Sequence, residues 1–78
     1  MMLFLHVRDG DRLITDPDGS FFYELEAARS EAIESARELM ASGIADQGRI
    51  GIERSIVVCD ASGATVLVLP FREAIDFA

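Results

Sequence analysis

Ser55-Ile-Val-Val-Cys59, then Asp60-Ala-Ser-Gly63, then Thr65-Val-Leu-Val-Leu69 is the stretch that decides the fold. Two runs rich in β-branched residues flank a four-residue turn signal, the pattern of a β-hairpin. A strand with one wet face alternates apolar and polar residues. Here both parities are apolar, so both faces of the hairpin need cover. A type I turn with glycine at the bulge position puts Ile56, Val58, Val66 and Val68 on one face. Val57, Cys59, Thr65, Leu67 and Leu69 take the other. Pro70, which cannot donate to a ladder, ends the second run.

The N-terminal half supplies another hairpin. Leu3 to Arg8 reads as a strand, Asp9-Gly10 as a two-residue turn, and Asp11 to Thr15 as the return. That loop sets Arg8 opposite Asp11 and His6 opposite Leu13, with Leu5, Val7 and Ile14 on the far face. Asp16-Pro-Asp-Gly19 is a turn with a mechanism, since proline presets φ, aspartate caps and glycine takes the left-handed position. Ser20 to Tyr23 reads as a short connection. From Leu25 the period becomes helical: Leu25, Ala28, Ala32, Ala36 and Leu39 form one stripe, widened by Ile33 and Met40. Gly43 is the expected stop, and Ala45-Asp-Gln-Gly48 reads as loop. Phe71 to Phe77 makes a short helical turn with Phe71 and Ile75 on one side.

The expected architecture is a single α+β domain over residues 1–78, in ββαββ order: a four-stranded antiparallel sheet from two hairpins, with one long helix across one face. The alanine stripe is expected on the Ile56 and Val58 face. Val57, Leu67 and Leu69, with Phe71, Ile75 and Phe77, are then the expected interface for the C-terminal segment or a second subunit.

Composition bounds the function. The 78 residues are half hydrophobic, with seven Arg, no Lys and fourteen acids, giving a net charge of −7. That is enough apolar content for a core, although a chain this short buries only about 60% of its unfolded surface. The negative balance disfavours nucleic acid and anionic membrane. A lone cysteine fits a reducing cytoplasm, and no apolar run reaches spanning length.

No residue pattern forms a recognisable catalytic motif. His6 and Cys59 could in principle make a nucleophilic pair, but each reads better as packing on an apolar sheet. Asp9, Asp11, Asp16 and Asp18 suggest a hard cation, yet the EF-hand spacing fails at Phe21 and Ala27, and each aspartate has a turn to form. Arg8, Arg12, Arg54 and Arg72 neighbour Asp9, Asp11, Glu53 and Glu73, so they read as solvated ion pairs and not as an anion site. Phe21, Phe22, Tyr23, Phe71 and Phe77 divide between covering the sheet and marking a contact patch. No metal or cofactor is expected, and no enzymatic activity.

The order Phe4-Leu-His-Val-Arg-Asp-Gly10, Asp16-Pro-Asp-Gly19, Leu25-Glu-Ala-Ala-Arg29, Asp60-Ala-Ser-Gly63, Val68-Leu-Pro-Phe-Arg72 resembles a family of short bacterial proteins of unknown function. The chain departs from that pattern at Phe21-Phe-Tyr-Glu24. The resemblance implies the strand–strand–helix–strand–strand order and carries no activity, cofactor or site residue. By element pattern alone the chain is also similar to the partial ferredoxin-like domain of HicB-type antitoxins. The leading expectation is a cytoplasmic interaction module that self-associates, as a dimer, through an apolar sheet face or edge. The alternative is an acidic, antitoxin-like partner of a basic protein.

Overall fold

The computed structural model describes residues 1–77. Five strands and one long helix follow in the order β1 (Met2–Asp9), β2 (Arg12–Ile14), β3 (Ser20–Phe21), α1 (Leu25–Gln47), β4 (Ser55–Asp60) and β5 (Thr65–Pro70), with a closing 3₁₀ turn at Phe71–Ala74. All strand pairs are antiparallel. The order across the sheet is β2-β1-β4-β5, and β3 pairs with β1 beyond β2. The expected α+β class and single helix hold, but the sheet has five strands, not four. Ser20 and Phe21 pair with Leu3 and Met2, and Met1 and Phe22 exchange backbone bonds at 2.7 and 2.8 Å.

Two turns differ from expectation. The first hairpin closes on Gly10-Asp11, with Asp9 opposite Arg12 and Arg8 opposite Leu13. Gly10 sits at φ +66, and among the described residues no non-glycine residue has positive φ. One left-handed residue at the first central position is the type II′ pattern, which needs a single glycine. The pairing moves by an even step, so the face assignments survive. In the second hairpin a bulge falls between the Val58–Leu67 and Cys59–Thr65 pairs. It leaves Val66 without an opposite residue and inverts β5 relative to the expected register. Ile56 therefore faces Leu69, Val58 faces Leu67, and Val57 faces Val68.

The helix also runs one turn longer than Gly43 suggests. Gly48 takes the left-handed stop at φ +70, and the N–H groups of Gly48 and Arg49 donate to the carbonyls of Ile44 and Gly43. Gly43 instead makes room: a Cβ there would lie 2.6 Å from the Arg49 carbonyl oxygen.

The core lies between α1 and one sheet face. Ala28, Ala32, Ala36 and Met40 form the buried helix stripe, against Leu3, Ile56, Val58, Leu69, Phe71 and Ala74. Alanine at three of those four positions lets the helix backbone approach the sheet closely. Arg37 donates from Nε to the Ala74 carbonyl at 2.7 Å and fastens the 3₁₀ turn to the helix. The molecule is a slab of 35 × 28 × 17 Å. Ala32 is fully buried, so Ala32→Leu should push α1 off the sheet and lose about 1–3 kcal/mol in urea unfolding, whereas a change at exposed Ala27 stays near neutral.

Candidate functional site

Two surfaces follow from the strand order. On the face away from α1, the pairings align Arg8 with Ser55, His6 with Val57 and Val68, and Phe4 with Cys59 and Thr65. No secondary-structure layer covers it. Val57 and Cys59 are nonetheless buried, while Val66 and Val68 stay 39% and 51% exposed. On the helix face, α1 packs over β4, β5 and the 3₁₀ turn, leaving Leu5 and Val7 half-buried and Ile14 and Leu39 exposed.

The edge beside β1 is held by side chains in place of backbone. Between β2 and β3 the chain leaves the sheet at Asp16-Pro-Asp-Gly19, opposite Phe4 to His6. There the Leu5 N–H donates to Asp16 Oδ2 at 3.3 Å, and the Asp16 N–H donates to His6 Nδ1 at 3.0 Å. Asp16 Oδ1 also accepts the N–H groups of Asp18 and Gly19, each at 3.2 Å. Gly19 at φ +69 lies under the Phe4 ring, where a Cβ would approach Phe4 Cε2 to 2.7 Å. Partial burial raises the Asp16 carboxyl, but the N–H donors of Gly19, Leu5 and Asp18, and then nearby His6, outweigh it and hold the group below its ordinary 3.8. Asp60 does similar work in the second turn. Its Oδ1 accepts the Ser62 hydroxyl at 2.6 Å and the Ser62 and Ala64 N–H groups. That hydroxyl leads the donors that hold Asp60 below the ordinary value.

The candidate residues sort accordingly. His6 and Cys59 share the open face on adjacent strands, but His6 accepts the Asp16 amide, and Cys59 Sγ lies 3.8 Å from Thr65 Oγ1. Asp9, Asp11, Asp16 and Asp18 all fall in turns or strand ends, and among the described residues no three His, Cys, Asp or Glu converge as a metal-ligand group. Arg54 stacks on Phe71 at 4.9 Å and Arg72 lies 5.9 Å from the Phe77 ring centre, while Arg8 and Arg12 point to opposite faces of the first hairpin.

The residues expected at an interface also divide. Val57 lies on the open face. Leu69 and Phe71 are fully buried beneath α1, and Leu67 and Ile75 pack against that same core. The bulge is the reason, since it turns Leu67 and Leu69 toward the helix. Phe77 remains 69% exposed. Sequence reasoning missed Val66 and Val68 as open-face residues, and it missed the exposed Phe21–Tyr23 edge-to-face pair at 5.4 Å.

The pattern of the family described as a domain of unknown function, DUF6894, matches residues 2–72. The chain belongs to this DUF6894 family. The match takes in every strand, the helix and Phe71 at the head of the 3₁₀ turn. No curated protein and no solved structure matches the chain.

Asp16→Ala should leave three backbone N–H groups without their acceptor and lower stability by about 1–3 kcal/mol at neutral pH. The Asp16 carboxyl titrates lower folded than unfolded. Its contribution is therefore complete above the unfolded value near 3.9 and is lost as pH falls through the folded one. Urea midpoints of parent and variant should converge in acid.

Proposed function

We propose that this chain is a non-enzymatic interaction module that self-associates through the open face of its sheet, as a two-fold dimer. The observation that carries the reading is the charge map of that face. In a chain of net charge −7, its paired positions Phe4, His6, Arg8, Ser55, Val57, Cys59, Thr65 and Val68 include no acid. Two copies can meet there without opposing carboxylates from the paired positions, and Val66 and Val68 offer apolar surface still open to water. A two-fold contact pairs the same patch with itself, so one acid-free face suffices.

Area sets the strength. Four strands at about 4.8 Å spacing and about five residues of length give a footprint on the order of 300–400 Å² per copy. A standard interface buries about 800 Å² per partner. The dimer should accordingly be a dissociating one, populated at micromolar concentration and above. His6 and Cys59, the two side chains with the chemistry for a nucleophilic site, each have a structural contact on this face, which supports a binding role over catalysis.

Light scattering across a concentration series tests the reading. The parent protein should pass from monomer to dimer in the micromolar range. Val68→Lys should stay monomeric throughout with little change in thermal midpoint, because Val68 is half exposed already. A parent chain that remains monomeric to millimolar concentration would sink the proposal.

A further inference from the structure

A second surface has a different chemistry. Alongside α1, over the β1 half of the helix face, runs a groove of about 350 Å³. Leu5, Val7 and Ile56 make its floor, and Ser35, Leu39 and Ser42 make its helical wall. At Leu39 and Ser42 it opens into a wider cleft of about 520 Å³ whose acids are Asp9, Asp46 and Glu53.

We infer that this groove receives a basic amphipathic helix from another protein. The sheet is about 19 Å wide at four strand spacings, and a helix with its side chains spans about 10–12 Å, so one helix covers about half of it. α1 occupies the β4 and β5 half. The lane left is about 7–9 Å wide, enough for a second helix only at the roughly 8–10 Å interaxial distance of close packing, and it is floored by aliphatic side chains. Two serines seven residues apart on its wall, Ser35 and Ser42, leave the space that a second helix at close approach requires.

Charge selects the occupant. The last turn of α1 has no basic residue and carries Asp46, so the negative end of the helix dipole is reinforced where it would ordinarily be offset. Glu38 stands on the groove rim, and Asp9 and Glu53 face the cleft. The two arginines of the cleft are held by neutral partners, Arg54 by the Gly51 carbonyl and the Phe71 ring and Arg49 by the Gln47 side chain, so their charges remain: with Glu38, four acids stand against two arginines. A second copy of this chain would bring Glu26, Glu31, Glu34 and Glu38 of its own helix into that field, which rules against self-occupation of this lane. A helix with Leu-like residues on one stripe and Lys or Arg at its flanks matches both the floor and the rim.

The probe is a fluorescently labelled synthetic helical peptide of Leu and Lys, with a Leu and Glu peptide of the same pattern as comparison. By anisotropy the basic peptide should bind saturably, weaken with salt, and lose at least about tenfold in affinity, or about 1.4 kcal/mol, on Leu39→Lys. Phe21→Ser, in β3 at the Met2 end of β1 and outside the groove lining, should leave binding unchanged. Amide shifts of the parent protein on titration should centre on Leu5, Val7, Leu39 and Ser42, a readout independent of how the variants fold. Absence of saturable binding, equal affinity for the acidic peptide, indifference to Leu39→Lys, or shifts centred on Val57 and Val68 would each overturn the assignment.

Discussion

The width of one helix against the width of one sheet governs this molecule. Strand spacing is fixed by backbone hydrogen bonds and helix diameter by its coil, so neither can adjust to the other. A four-lane sheet with a single helix keeps half of one face and all of the other without a covering layer. α1 takes the lane over β4 and β5, where the 3₁₀ turn and Phe71 complete the seal. The alanines at 28, 32 and 36 matter because the core is thin. With so little depth, stability depends on close approach and not on large side chains.

That geometry explains why the two uncovered surfaces differ. The open face inherits the apolar, acid-free parity of β1, β4 and β5. The groove inherits one wall from the outer side of α1, where the acids of a strongly acidic helix are placed. A single chain thereby presents a plane without acids at its paired positions and an acid-rimmed trough on opposite sides of one sheet.

Much of this was legible in the sequence. The parity of β1 and β4, the helical stripe and the turn at Asp16-Pro-Asp-Gly19 follow from residue type and period. So does the excess of apolar surface over available helix. The misses have physical reasons. A bulge in the second hairpin inverted β5, and a one-residue slip exchanges whole faces, so Leu67 and Leu69 went to the core while Val66 and Val68 came out. Gly43 has the composition of a helix stop but serves as a clearance for the Arg49 carbonyl, a contact between residues that only the folded chain brings together. Ser20 and Phe21 were too short a run to read as a strand, and they pair because β1 offers them an edge. The family pattern covers all these elements, with no chemistry attached.

The Asp16–His6 patch has one more implication. A side-chain carboxylate and an imidazole occupy backbone positions opposite Phe4 to His6, so the β1 side of the sheet presents two short strands broken by a proline turn. Such an edge is a poor template for another strand. The opposite margin, β5, is an uncharged run from Thr65 to Pro70 with no strand beyond it. One margin is continuous and the other is interrupted, so only the β5 side offers an unbroken ladder to an added strand.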